Sequence, residues 1–199
     1  YDLTEKLELA GGVRWTDEEK STSVAFPFIH IGVVALTGTP VFPGFQSTDV
    51  EFEDDNISPE LSLTYKINDD ISIYGSYKTG FKSGGIDNNS LPFGGLVANL
   101  NSQDPVVRQS SVDVLQYESE ESDGGELGFR SRLMDGSLTL NITAFRYIFE
   151  NLQAQIFDPA VFAFSTFNAG ELTTQGIDVD FSWVTDIPGV RLSGAWSFL

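Results

Sequence analysis

Apolar residues recur at every second position in several parts of the chain, and that spacing organises everything else. Leu127, Phe129 and Leu133 alternate with polar neighbours. After Met134-Asp135-Gly136 the alternation resumes at Leu138, Leu140, Ile142 and Ala144. Two period-2 runs joined by an Asp-Gly turn predict a β-hairpin. The same spacing appears at Leu7, Leu9, Gly11, Val13 and Trp15, and at Leu61, Leu63, Tyr65 and Ile67. After Asn68-Asp69-Asp70 it continues through Ile71, Ile73, Gly75 and Tyr77. Ile177, Val179, Phe181 and Trp183 form another face, Asp186-Ile187-Pro188-Gly189 turns, and Val190, Leu192, Gly194, Trp196 and Phe198 follow. No stretch holds the i, i+3, i+4, i+7 spacing over three turns, so the reading is about seven strands and no amphipathic helix. Residues 16–55, 84–116 and 151–168 carry no such period and read as long loops.

The turns near residues 3, 69, 135 and 187 are short, and the connections between them are long. Strict alternation of short and long connections in an up-and-down meander puts all short turns at one end, as outer-membrane barrels do. Register can be anticipated because a one-residue slip would invert the faces. Pairing Ile67 with Ile71 sets Leu63 against Gly75 and Glu60 against Lys78. Pairing Leu133 with Leu138 sets Arg130 against Asn141 and Arg132 against Thr139. Pairing Trp183 with Val190 sets Phe181 against Leu192. Each choice joins apolar to apolar and polar to polar. Two architectures fit a sheet with one apolar and one polar face. In a soluble sandwich the apolar face meets a second sheet; in a transmembrane barrel it meets lipid and the polar face lines a lumen. Trp15, Tyr65, Trp183 and Trp196 lie on the apolar face, several near strand ends, as a membrane-interface girdle requires.

Charge and composition narrow the partners. The net charge of -18 makes nucleic acid an unfavourable partner, since phosphate binding needs a basic surface. No cysteine is present, so disulfides and thiolate metal sites are excluded. The longest apolar stretch, Phe26-Pro-Phe-Ile-His-Ile-Gly-Val-Val-Ala-Leu36, is too short for a transmembrane helix and is broken by Pro27 and Gly32. Residue 1 is Tyr with no signal peptide before it, and the chain reads as a piece of something longer.

Three motifs, in order, carry a resemblance. Tyr74-Gly-Ser-Tyr-Lys-Thr-Gly-Phe-Lys-Ser-Gly-Gly85 resembles a strand of the TonB-dependent outer-membrane receptors. So does Tyr117-Glu118-Ser119-Glu120 leading into Glu126-Leu-Gly-Phe-Arg-Ser-Arg132, and so does Phe167-Asn-Ala-Gly170 followed by Thr174-Gln-Gly-Ile-Asp178. The resemblance covers most of the chain outside residues 16–55 and 84–116. It implies an all-β fold: an antiparallel up-and-down transmembrane β-barrel segment, about seven strands of a barrel of about twenty-two. Residues 1–199 then form part of the barrel, with the family's plug domain absent from the chain. An odd number of strands leaves an open edge, which lipid does not tolerate, so such a piece is not expected to be stable alone in a membrane. The resemblance also implies a bacterial outer-membrane location and a small-molecule ligand. It implies energy from the TonB complex acting through the plug.

The candidate chemistry is sparse. Lys78, Arg130, Arg132, Asp178 and Asp180 are expected to face the lumen, where they either meet ligand and plug or pair across strands within the wall. Clustered carboxylates suit a hard cation such as calcium, and the residues that would supply it are Glu51, Glu53, Asp54, Asp55, Glu118, Glu120 and Glu121. A solvated strand extension beyond the membrane accounts for the same residues, and neither cluster has EF-hand spacing; no metal site is expected. His30 is the only histidine and lies in an apolar loop, which speaks for packing rather than ligation. The Phe-rich stretch Ile156-Phe-Asp-Pro-Ala-Val-Phe-Ala-Phe164 would contact a hydrophobic ligand or pack against other loops. With one His and no Cys, no nucleophilic triad can be assembled, and neither an enzyme nor a cofactor is expected. The leading functional reading is an outer-membrane receptor importing a scarce ligand of siderophore-iron, cobalamin or glycan type with TonB-supplied energy. The alternatives are a passive diffusion porin and a soluble all-β binding module.

Overall fold

The computed structural model describes residues 1–25, 47–87, 102–113, 115–158 and 163–199. His30, the apolar run 26–36 and the tip of the Phe-rich stretch lie outside the described residues.

Seven strands form one antiparallel sheet: β1 (Leu7–Ala25), β2 (Ser47–Lys66), β3 (Ile71–Lys82), β6 (Glu120–Leu133), β7 (Leu138–Glu150), β10 (Leu172–Val184) and β11 (Arg191–Phe198). Neighbours in the sheet follow chain order, so the topology is an up-and-down meander. Two small hairpins stand in the long connections. β4 (Gly85–Ile86) pairs with β5 (Gln116–Tyr117), and β8 (Gln153–Asp158) pairs with β9 (Ala163–Asn168). Among the described residues one helix, α1 (Pro105–Asp113), lies between β4 and β5.

The short turns form as their residues dictate. The Asn68 side chain accepts from the amides of Asp70 and Ile71 at 2.9 and 2.8 Å, an Asx turn that closes β2 onto β3. Met134, Asp135 and Gly136 all have positive φ, and the glycine takes the largest, 84°. The tight 133–138 connection is closed by Gly136 N–H to Leu133 O at 3.1 Å. Two anticipated registers hold: Leu63 faces Gly75 and Glu60 faces Lys78, while Arg130 faces Asn141 and Arg132 faces Thr139. The third differs. Trp183 pairs with Leu192 and Phe181 with Gly194, two residues away from the expected match. The turn is longer than Asp186–Gly189 alone, because Thr185 N–H donates to Val190 O at 3.1 Å and draws both residues into it. A shift of two keeps every face, so period-2 patterning cannot detect it.

Strand length is the larger departure. Residues 16–25 and 47–55 continue β1 and β2 rather than forming loop, with Asp17 opposite Asp55 and Ser23 opposite Asp49. Water bathes both faces of a strand extension beyond the membrane, so no apolar alternation marks it, and backbone pairing holds it instead. At 19 and 20 residues, β1 and β2 are about twice what a tilted strand needs to cross a bilayer. α1 was also unmarked by periodicity, being only nine residues long. Its signals are local: the Asp104 side chain accepts from Val106 N–H at 3.0 Å, and Pro105 sits at the first helical position.

Among the described residues no protein core covers the sheet's apolar face. Leu127 is 72% exposed, Trp15 67% and Trp196 54%. Among the described residues the fully buried apolar side chains are Val50 and Leu115, which meet at the far end of the molecule with Ile86 and Val112 against them. An apolar surface this broad and uncovered needs an apolar solvent. Trp15 lies where the alternation gives way to acidic residues, and Tyr65 and Trp183 lie beside short turns. Trp196 departs from the girdle expectation. It sits mid-strand opposite Val179, its ring stacked 5.6 Å from that of Phe181.

Candidate functional site

The polar face of the sheet is built from even-numbered residues on β2, β3, β6 and β10 and odd-numbered ones on β7, carried by strict alternation from strand to strand. The parity changes at β7, as the anticipated register requires: Asn141, Thr143, Phe145 and Tyr147 oppose Arg130, Gly128, Glu126 and Gly124. Four of the five residues expected on this face have partners there or at its margin. The Lys78 ammonium lies 3.1 Å from Glu126 and 5.2 Å above the Tyr147 ring. Tyr147 donates its hydroxyl to the same Glu126 oxygen at 2.5 Å. Three strands thus converge on one carboxylate. Arg130 lies 4.4 Å over the Tyr74 ring, and the Tyr74 hydroxyl is 3.2 Å from that of Thr143. Asp180 accepts from the Asn141 amide at 2.9 Å. Arg132 sits lower, donating to Asp69 O at 3.2 Å beside the β2–β3 turn. Asp178 is exposed between Thr143 and Ser197.

Two glycines make this arrangement possible. The Tyr74 ring lies flat across Gly128, its direct cross-strand partner, and a Cβ there would fall inside the ring. At Gly124, opposite Tyr147, a Cβ would meet both the Arg146 carbonyl oxygen and the edge of the Tyr147 ring, so close backbone approach as well as the ring requires glycine there. Each aromatic covers the glycine backbone and reaches a partner one strand further on, a known device for bracing sheets at glycine positions. Alternation in the sequence already places Lys78, Arg130 and Tyr74 on this face, but the sequence reading did not single out Glu126 or Tyr147. The signal available was Tyr opposite Gly in register.

Beyond the apolar band the carboxylates do not gather. Glu51, Glu53 and Asp55 point one way along β2 and Asp54 the other. Asp54 accepts from Gly84 N–H at 3.0 Å, Glu120 from Gln153 N–H at 2.8 Å, and Glu121 from Asn56 at 3.3 Å. Glu118 accepts from Asn151 at 3.4 Å. Among the described residues no group of three or more acidic or histidine side chains has metal-binding geometry. These carboxylates instead tie the connections to one another. The Gln153 amide donates to Ser83 O and Glu118 O at 3.0 and 3.1 Å, and Asn168 bridges Glu118 and Asn151. Lys20 donates to Ser83 and Gly84 and pairs with Glu18 at 2.9 Å. The Lys20 bond holds the Glu18 carboxyl below its usual range. Asp87, 4% exposed, accepts from Thr166 N–H at 2.6 Å, joining the β3–β6 connection to β9.

A meander with one uncovered apolar face, one polar face paired with itself, and polar extensions at a single end is the wall of a transmembrane β-barrel. A family profile described as TonB dependent receptor-like, beta-barrel, matches residues 1–199, and the chain belongs to that family. Its members are outer-membrane β-barrels of Gram-negative bacteria, and they are transport receptors rather than enzymes. The pesticin receptors of Yersinia enterocolitica and Yersinia pestis are 24% identical over 198 residues, covering all of this chain and 23% of their own length. The ferric yersiniabactin uptake receptor from Yersinia pestis superposes with a TM-score of 0.64 at 20% identity, over 99% of this chain and 25% of that one. The ferric-catecholate import receptor from E. coli K12 does so at 0.59 and 15%, over 98% and 22%. The chain therefore spans about a quarter of the length of these relatives.

Proposed function

We propose that residues 1–199 form part of the barrel wall of a receptor that imports a scarce ligand across the outer membrane with energy from the TonB complex. The supporting observation is the pairing of a barrel-wall sheet with a family profile over its whole length. In this reading the polar face lines the lumen, and Lys78, Arg130, Arg132, Asp178 and Asp180 stand on its wall. Most of them are engaged with neighbouring strands, so their first role is to hold the wall rigid around whatever fills the barrel. A plug domain outside this chain would occupy that lumen and receive the pull from TonB. The ligand is of siderophore-iron, cobalamin or glycan type. The names of the similar receptors favour a ferric siderophore. The charge of -18 disfavours a strongly anionic one, because long-range repulsion slows its approach. No catalytic step is assigned to the chain.

The test is uptake by cells that carry the whole protein, offered radiolabelled ferric siderophores, cobalamin and oligosaccharides in turn, with and without TonB. One ligand class should accumulate and the accumulation should vanish without TonB. Accumulation that persists without TonB would establish passive diffusion through an open pore and overturn the proposal.

A further inference from the structure

The seven-stranded sheet forks towards its outer end. β1 and β2 pair without a break from Leu7 opposite Tyr65 to Ala25 opposite Ser47. The β2–β3 ladder stops at Glu60 opposite Lys78, although β3 runs on to Lys82. Pro59 is the reason. Successive residues of a strand aim their N–H and C=O groups at opposite neighbours. Lys66 N–H donates to Lys6 O on the β1 side, so the odd-numbered residues of β2 face β3. Pro59 therefore turns a nitrogen without hydrogen towards β3, and its carbonyl is taken by the Thr79 hydroxyl at 3.2 Å. From there outward, residues 14–25 and 47–58 form a two-stranded arm, while β3 stays with β6.

Among the described residues, side chains alone close the fork; no backbone-to-backbone bond joins the arm to β3 or to the connection that follows it. The even-numbered side of the arm, which lower down is the polar face of the sheet, meets that connection. Lys20 donates to Ser83 Oγ at 2.8 Å and to Gly84 O at 2.6 Å, and Asp54 accepts from Gly84 N–H at 3.0 Å. Both backbone groups of Gly84 are thus held by the arm. A Cβ on Gly84 would strike the Phe52 ring and the Tyr117 carbonyl. Beside this clasp Val50 and Leu115 are fully buried, with Ile86 and Val112 against them. The β3–β6 connection therefore sits on the lumen side of the arm. A two-stranded ribbon in water is only marginally stable by itself, and a unit held by a few side chains opens more readily than the sheet below it.

We propose that the β1–β2 arm is a flap at the mouth of the lumen, hinged at Pro59 and latched where Lys20 and Asp54 close on Gly84. With the latch made, the arm and the β3–β6 connection narrow the mouth. With it broken, the arm swings outward, Val50 leaves Leu115 and the mouth widens. The flap rests on the barrel-wall reading but needs neither a particular ligand nor TonB, so it is tested apart from import.

The experiment uses the whole protein in detergent micelles with one introduced cysteine at a time, and labelling is read by mass spectrometry on the peptide that carries it; residues 1–199 contain no other thiol. Val50→Cys is covered by the latched flap and reacts with a small maleimide only while the flap is open. Lys20→Met and Asp54→Ala should each raise that labelling rate about tenfold. Pro59→Val, which returns an N–H towards β3, should lower it about fivefold. Ser131→Cys, buried in the wall below the fork, should label at one rate in all of these proteins, which separates flap opening from general loosening. Thr174→Cys, on the lumen side opposite Tyr147, should react with a bulky polymer-linked maleimide several-fold faster once Lys20→Met or Asp54→Ala breaks the latch. Folding of each variant is read from its heat-dependent gel mobility, and if Pro59→Val fails to insert, the two latch variants decide alone. Val50→Cys labelling unmoved by both latch variants, or equal acceleration at Ser131→Cys, would overturn the latch. Unslowed labelling in a folded Pro59→Val protein would overturn the hinge, and indifference of Thr174→Cys to the latch would overturn the flap's place at the mouth.

Discussion

Replacing Gly128 with Ala should destabilise the barrel wall by an amount that depends entirely on Tyr74. The added methyl group falls where the Tyr74 ring lies, so the ring must swing away. It then loses its place under Arg130, 4.4 Å distant, and its hydroxyl contact with Thr143 at 3.2 Å. A cation–π contact of this exposed kind is worth about 1 kcal/mol and a net hydrogen bond about 1 kcal/mol. Against that, alanine is better than glycine within a strand by roughly 0.5–1 kcal/mol. The expected net loss is about 1–1.5 kcal/mol. With Tyr74→Ala already in place there is no ring to displace, and Gly128→Ala should then stabilise by about 0.5 kcal/mol. The sign reversal is the test. Four proteins, the wild type, both single variants and the double, are unfolded and refolded in urea in detergent micelles, with tryptophan fluorescence as the signal and differences alone compared. The coupling energy should be about 2 kcal/mol. Additivity to within about 0.5 kcal/mol would refute the account of Gly128 as a seat for the Tyr74 ring.

Four further outcomes are expected. Glu126→Gln should cost about 1–3 kcal/mol in the same titration, because one carboxylate serves both Lys78 and Tyr147; a neutral result would mean the three-strand cluster contributes nothing. Ile73→Arg, on the apolar face, should lower insertion into liposomes by about 2–4 kcal/mol, whereas Ser76→Arg, on the polar face opposite Glu126, should be tolerated; the reverse order would mean the faces are assigned wrongly. Asp87→Ala leaves Thr166 N–H without its acceptor, and cleavage by added protease within residues 163–168 should rise roughly tenfold, as a loss of about 1.4 kcal/mol in local closure implies. The Glu18 carboxyl is lowered by its bond to Lys20, so the pair is intact at neutral pH and is lost as pH falls through that lowered value. Carbon-13 titration of Glu18 should show its midpoint rise towards the usual range in Lys20→Met, and an unmoved midpoint would contradict the pairing.

Much of the wall was legible because strand formation and facing are local properties. The 61–77 and 127–144 hairpins could be placed to the residue, since their turns are short and any odd slip would put leucines into the polar face. The 183–192 hairpin could not, because a shift of two residues leaves both faces unchanged and only the hydrogen bond from Thr185 to Val190 selects it. The extensions of β1 and β2, the β8–β9 hairpin and α1 were read as loop. Outside the bilayer neither face of a strand is selected for apolarity, and nine residues are too few to display a helical period.

By itself, then, the sequence determined the all-β class, the two faces of the sheet, the end that carries the short turns, and the family through its motifs. The class and the faces follow from alternation along a single strand, which every strand reports independently, the short-turn end from the lengths of the connections, and the family from local motifs. The tertiary structure alone decided which residues act together. Lys78, Glu126 and Tyr147 come from three strands, Tyr74 finds its place only because Gly128 lies opposite, and Asp87 meets Thr166 from a distant connection. Arg146 looks like one break in the alternation of β7. Only the neighbouring strands show that it stands between Gly125 and Gln175, because a strand's sequence does not record what its neighbours place beside it.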